Sequence, residues 1–385
     1  MSRQKVPFID REEIVSRLVK SIASQGKPVN FGLIGARQIG KTSILREVMK
    51  RVGSRAIVVN LDFSIYRFSP EDFAQGLMQG LTSEYAKRAG GVKKLVSRAS
   101  EIAKSLRQLG RIRLSFSIDL DDQGKPRVSI RPELAERKIN LGELFDLALT
   151  YTTKIAEESG VRVVVIIDEF QHFAEYSSYP ELKGILDILR HYLDEKGDVS
   201  LVVSGSRIHF LTNILGSGRS PLFGRFTLVE VGELEESYAI ELYLKVRVQA
   251  TQDEARRIYR LVGGHPFYIL ALAENKRRDE TPEDAYKRLL FEPTGALNLY
   301  ARYVIAEDLG SHAKARQSRF LKILSTIRDR RVTVSTISKE TRIALTSIPW
   351  YVQQLTSYDL IQRTSDGYAI KDRVLRDFFA NPEAV

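Results

Sequence analysis

The chain contains no cysteine in its 385 residues. Disulfides, cysteine-ligated zinc fingers and cysteine nucleophiles are therefore excluded, which suits an intracellular protein. Long apolar runs are missing too. Stretches such as Val163–Ile167 fall far short of the ~20 residues that cross a bilayer. The opening Met1-Ser2-Arg3-Gln4-Lys5-Val6-Pro7 leads into a helical pattern instead of an apolar leader core, so a cytoplasmic location without a membrane span is expected. Internal repeats and low-complexity tracts are also lacking. What remains is ordinary globular material, 43% hydrophobic, with length for two or three domains.

Charge is present in excess but unevenly placed. The net charge is +11, and most of it lies in one stretch. There Lys87, Arg88, Lys93, Lys94, Arg98, Lys104, Arg107, Arg111 and Arg113 face a single acid, Glu101. A nucleic-acid partner would have to be met through this 87–113 segment. Leu95, Val96, Ala99, Ile102, Ala103, Leu106 and Leu109 recur at helical spacing. The segment is thus an amphipathic helix with a basic face, and a solvated outer face explains it equally well. Next, Ile112, Leu114, Phe116, Ile118 and Leu120 alternate, Asp121 to Pro126 is turn chemistry, and Val128 and Ile130 resume the alternation. A β-hairpin inserted between core strands is expected, making an insertion over about 87–132.

One string carries specific chemistry. Gly35-Ala36-Arg37-Gln38-Ile39-Gly40-Lys41-Thr42 fits the G-x-x-x-x-G-K-[ST] phosphate loop at every required position. Val29 to Ile34 before it reads as a buried strand, and Ser43 to Lys50 after it as a helix. Glycine is needed where backbone turns sharply and approaches phosphate closely. The loop amides and helix N-terminus, Ser43 included, then face the anion. Lys41 is expected to reach the β- and γ-phosphates of ATP, and Thr42 to ligate Mg²⁺.

Downstream, Val161 to Glu169 is an apolar run ending in Asp168-Glu169. A strand buried on both faces needs such a run. Asp168 at its C-terminal end is the expected Walker B carboxylate holding Mg²⁺. Glu169, pointing the other way in strand geometry, is expected to orient and deprotonate the attacking water. The following strand, Asp198 to Ser204, ends in Gly205-Ser206-Arg207. In P-loop ATPases of this layout that strand lies between the phosphate-loop and Walker B strands. Ser206 or Arg207 could therefore sense ATP versus ADP, Arg being suited to phosphate. Arg219 and Arg225 are further candidates, as arginine fingers in cis or in trans.

Ala56 to Asp62 and Phe226 to Val231 complete a set of five strands, with helices at Glu71–Tyr85 and Leu141–Glu158 between them. Alternating strands and helices argue for a parallel five-stranded sheet covered on both faces. After Gly232 only helices follow, one opened by the capping box Thr251-Gln252-Asp253-Glu254. The last seventy or so residues carry three short helices and two short strands, Leu360–Arg363 and Tyr368–Lys371. That order suggests a winged helix-turn-helix. Its candidate recognition helix, Thr346 to Ser357, bears no charge, so packing or regulation is favoured over DNA reading.

Several of these pieces together resemble archaeal ATPases of the signal-transduction ATPases with numerous domains, within the wider AAA+-like P-loop proteins. They are Phe8-Ile9-Asp10-Arg11-Glu12, the phosphate loop, Asp168-Glu169-Phe170-Gln171, Gly205-Ser206, Pro221-Leu222-Phe223-Gly224-Arg225, Gly264-His265-Pro266 and Tyr368-Ala369-Ile370-Lys371-Asp372. The resemblance implies nucleotide enclosed between a P-loop domain (1–232), a helical lid (233–310) and the winged helix (311–385). It implies that Arg11 belongs to the nucleotide site and that Pro266 packs on the adenine. In related immune receptors a Met-His-Asp motif contacts the ADP β-phosphate. Ile370-Lys371-Asp372 falls at a similar place, so Lys371 is implied to read the diphosphate. The function implied is Mg²⁺-dependent ATP hydrolysis working as a conformational switch, with a protein partner or self-association as output. A DNA-binding ATPase resembling archaeal origin-recognition initiators, and a nucleotide-gated scaffold with little turnover, are the alternatives.

Overall fold

The computed structural model describes residues 7–63, 69–88, 112–120, 126–134, 140–195, 197–310 and 312–381. Most of the expected basic helix, over 89–111, and the hairpin turn at 121–125 lie outside the described residues.

In chain order the first half runs α1 (Glu12–Ala23), β1 (Phe31–Ile34), α2 (Lys41–Val52), β2 (Ile57–Asp62), α3 (Pro70–Arg88), β3 (Ile112–Leu120), β4 (Pro126–Leu134), α4 (Leu141–Ser159) and β5 (Val163–Asp168). Then come α5 (Gln171–Glu175), α6 (Ile185–Glu195), β6 (Val199–Gly205), α7 (Ile208–Gly216) and β7 (Thr227–Glu230). β3 and β4 form the expected antiparallel hairpin, Ile112 opposite Leu134.

The other five strands make one parallel sheet in the order β2-β5-β6-β1-β7. Every residue of β1, β5 and β6 is buried, as strands covered on both faces must be. One face carries α1 and α2 through Val15, Leu18, Ile44 and Val48. The other carries α3 and α4 and an aromatic group that includes Phe73, Phe145, Phe173 and Tyr176. Register decides function here. Asp62 pairs with Asp168 and Ile34 with Gly205, so the C-terminal ends of β2, β5, β6 and β1 share one edge. β6 lies between β5 and β1, as expected.

From residue 234 on, α8 (Glu236–Val246), α9 (Gln252–Val262), α10 (Pro266–Asn275), α11 (Pro282–Phe291) and α12 (Ala296–Leu309) are helical. Thr251 caps α9 by accepting from the Glu254 amide. The Glu254 carboxylate does not close the box. It takes the Tyr243 hydroxyl at 2.6 Å and faces Arg247 instead. Then follow α13 (Lys314–Ile327), α14 (Val334–Thr341), α15 (Ile348–Ser357), the antiparallel pair β8 (Ile361–Thr364) and β9 (Gly367–Ile370), and α16 (Arg373–Ala380). Ile348, Tyr351, Val352 and Leu355 of α15 are buried. One apolar cluster runs from Leu234 to Phe379, so these last elements share a core with α8–α12. Among the described residues no helix is long and apolar enough to cross a membrane.

Candidate active site

The loop between β1 and α2 is built by three backbone constraints. A side chain on Gly35 would collide with the Val231 carbonyl. Gly40 turns at φ 105°, and Gln38 also takes a left-handed φ of 55°. The resulting turn folds around the Lys41 ammonium, which donates to the Gly35 and Ala36 carbonyls at 2.8 Å each. Lys41 is buried, and that burial lowers its pKa while Glu169 and Asp168 oppose the shift.

Across the sheet edge stands Asp168. It accepts from the Thr42 hydroxyl at 2.6 Å, from the Glu169 amide at 3.1 Å and from the Ser204 hydroxyl. Burial raises its pKa, and the two hydroxyls pull the other way. A hydroxyl and a carboxylate in contact are oxygen donors of the kind Mg²⁺ takes, so this corner fits the ion.

Glu169 departs from expectation. It has left the strand and sits at φ 57°, so its direction is set by a left-handed turn and not by strand alternation. The turn is stabilised locally, since the Phe170 amide donates to the Ser204 carbonyl at 2.8 Å. The Glu169 carboxylate accepts from the Ser206 hydroxyl at 2.9 Å, from the Ser206 amide at 3.3 Å and from Gln171. Burial works to raise its pKa, but Lys41 and these donors outweigh it and hold the group ionised.

A cavity of about 1590 Å³ opens beside this corner. Arg37, Gln38, Ile39, Gly40, Lys41, Thr42 and Ser43 line it, with Arg11, Glu169, Gln171, Ser206, Arg207 and Pro266. Phe8, Leu234, Leu242, Phe267 and Leu270 add apolar lining to it. Arg11 is held beside it by a 2.5 Å bond to the Gly232 carbonyl. Gly264 is required where it stands, because a side chain there would overlap the Leu234 backbone.

Three expected residues are not brought to the cavity. Arg225 precedes β7, and β7 starts level with the first residue of β1. That is the opposite edge of the sheet from the phosphate loop. There it pairs with Asp194 at 2.6 Å, so it does not reach this cavity in cis. Arg219, in the same connection, is exposed and lines no part of the cavity. Lys371 is exposed at the end of β9. Its neighbour Asp372 points inward instead, accepting the Tyr268 hydroxyl at 2.6 Å while capping α16. Tyr268 stacks on His265 with ring centroids 4.2 Å apart, and His265 Nε2 donates to the Arg37 carbonyl at 3.1 Å. Burial lowers the pKa of His265 and keeps it neutral.

Sequence reasoning missed Asp308. Its side chain is 1% exposed, it bonds Arg37, and it lies 4.0 Å from Arg207. One faint signal existed: Glu307 and Asp308 end a helix, where the macrodipole disfavours carboxylates. Gln171 was visible in its motif, but its grip on Glu169 was not.

A family model described as an ATPase domain predominantly from Archaea matches residues 8–272. Among solved structures, the chain is similar to a Walker-type ATPase of Pyrococcus abyssi, with 20% identity, a TM-score of 0.64, and 99% of each chain covered. It is also similar to the ORC2 protein of Aeropyrum pernix, solved as ADPNP–ADP complexes, at 12% identity and a TM-score of 0.53. That match covers 98% of this chain and 94% of the other. At these identities the likeness is one of fold. No curated protein matches the chain.

Proposed function

The chain belongs to this predominantly archaeal ATPase family, and from that premise we propose a Mg²⁺-dependent ATP hydrolase that works as a conformational switch of the signal-transduction type. The observation that carries the reading is the junction of Thr42 and Asp168 at 2.6 Å beside the ionised Glu169. In this reading the loop amides and Lys41 hold the β- and γ-phosphates. Thr42 and Asp168 would hold Mg²⁺, which would supply positive charge against that developing on the transferred phosphoryl group. Glu169 takes the proton of the attacking water. Ser206 and Gln171 hold Glu169 in place for it. The apolar lining of the cavity, with Pro266, receives the base.

The switch part of the reading draws on how the loop is tied. Through Arg37 it contacts His265 and Asp308, both in the helical segment, and His265 leads on through Tyr268 to Asp372. A change at the phosphates thereby meets the helical lid and the winged helix-turn-helix proposed for the last seventy residues. Burial of the apolar face of α15 supports a packing role for that helix over reading of DNA.

Turnover of ATP by the unmodified chain and by Glu169→Gln, with and without duplex DNA over a salt series, tests the proposal. Hydrolysis lost in Glu169→Gln and indifferent to DNA supports it. Bound nucleotide with no turnover in the unmodified chain overturns the hydrolytic part. A second reading, a DNA-binding ATPase, is favoured by the nine basic residues between Lys87 and Arg113. It predicts DNA stimulation with a steep salt dependence, lost when Lys93, Lys94 and Arg98 are neutralised.

A further inference from the structure

We propose that Asp308 is an internal stand-in for the terminal phosphate and sets the preference between triphosphate and diphosphate. This rests on the cavity being the nucleotide site. Two arginines that line the cavity, Arg37 from the phosphate loop and Arg207 from the tip of β6, both converge on one oxygen, Asp308 Oδ1. Asp308 is almost fully buried and lies in the last turn of α12, the helix that leads into the C-terminal elements. Negative charge at a helix C-terminus works against the macrodipole. Local helix energetics therefore do not explain a carboxylate at this position, whereas the two guanidinium groups do.

The arrangement is incompletely satisfied. Among the described residues, Asp308 Oδ2 and Arg207 Nε, both buried, have no hydrogen-bond partner. Arg207 spreads its remaining contacts over Glu175 at 3.1 Å and the face of Tyr358 at 5.7 Å. A γ-phosphate offers three charged oxygens where Asp308 offers two, and guanidinium groups bind phosphate through strong charge-assisted bonds. It competes for the same two arginines from the cavity side. A diphosphate has no group at that distance and leaves the Asp308 contacts intact. The stretch after β6 also touches the C-terminal elements directly, since His209 pairs with Asp359 at 2.5 Å. Withdrawal of Arg37 and Arg207 toward phosphate thus frees α12 from the phosphate loop and the β6 tip, and loosens Tyr358 in the same step.

Linkage makes the idea measurable. If ATP displaces Asp308, removing its charge must tighten ATP binding by the coupling factor and leave ADP nearly untouched. The experiment is calorimetric titration of ATP and of ADP into the full chain carrying Glu169→Gln, alone and together with Asp308→Asn. The expected result is a gain in ATP affinity of about 5- to 150-fold with ADP nearly unchanged. An equal shift for both nucleotides, or weaker ATP binding, overturns the role of Asp308. Should Asp308→Asn fail to fold, amide exchange in the Glu169→Gln chain decides. ATP, and not ADP, must then speed exchange in the last turn of α12, and equal protection by both overturns the proposal. Absence of binding by either nucleotide to the Glu169→Gln chain would overturn the site reading itself. Binding of both with an unchanged ratio overturns only the inference.

Discussion

Asp168 and Asp308 are both buried carboxylates, yet they are held in opposite ways. Asp168 has a donor for each oxygen, drawn from Thr42, Ser204 and the Glu169 amide. All of its partners sit on adjoining parts of one sheet edge. Asp308 has one oxygen shared by two arginines and the other without a hydrogen-bond partner among the described residues. Its partners come from a different layer of the molecule. A satisfied polar network rigidifies a site, whereas a buried atom left unpaired is costly, so a half-satisfied network gains from a competing partner. The first arrangement suits a group that must stay put during chemistry, and the second suits a contact that must be released.

The largest expected effect tests the fixed side of this comparison. Glu169→Gln should lower ATP turnover by ~10²- to 10⁴-fold, the usual contribution of a general base, while nucleotide still binds. Steady-state phosphate release and equilibrium binding check both halves.

The releasable side should reveal itself in pH dependence. Burial raises the pKa of Asp308 from 3.8 to about 6 even with Arg37 and Arg207 opposing, and Glu307 and Asp359 add to the rise. The folded chain then holds that proton more tightly than the unfolded chain does. The stability it contributes is complete below the ordinary carboxylate pKa and is lost as pH rises through about 6. A shift of that size corresponds to about 3 kcal/mol. Asp308→Asn, which cannot titrate, should therefore gain on the unmodified chain between about pH 4 and about pH 7. Denaturant unfolding of the pair across that range measures it, and parallel curves would contradict it.

Ser204→Ala should cost about 1–3 kcal/mol, because it strips a buried donor from Asp168. An unfolding midpoint lowered without a change of slope is the expected signature. Least of all should follow from Arg225→Ala. At the far edge of the sheet it should leave the turnover of isolated single chains unchanged. A large loss at low protein concentration would place Arg225 in the chemistry after all.

Much of the fixed corner was legible in the sequence. The phosphate loop, the apolar strand ending at Asp168 and the tip at Ser206 are local patterns, each imposed by its own strand or turn. The turn at Glu169 was not legible, since a left-handed glutamate is unfavourable alone and exists because Phe170 is tied to Ser204 on the neighbouring strand. Arg225 looked like its fellow arginines in sequence. Only the register of β7 against β1 shows that it lies at the wrong edge. Lys371 and Asp372 are adjacent in the chain, yet capping of α16 turns Asp372 inward and leaves Lys371 exposed.

The sequence by itself determined the five strands of the parallel sheet, the loop that wraps Lys41 and the acids at the end of β5. These are short-range consequences of residue pattern, glycine placement and strand alternation. The tertiary structure alone decided which distant charges meet. Arg37, Arg207 and Asp308 are separated by long stretches of chain, and no local rule pairs them. They meet because the shared apolar core from Leu234 to Phe379 sets α12 against the sheet edge. Once apolar burial has fixed that approach, a buried carboxylate there requires cations, and the two arginines supply them.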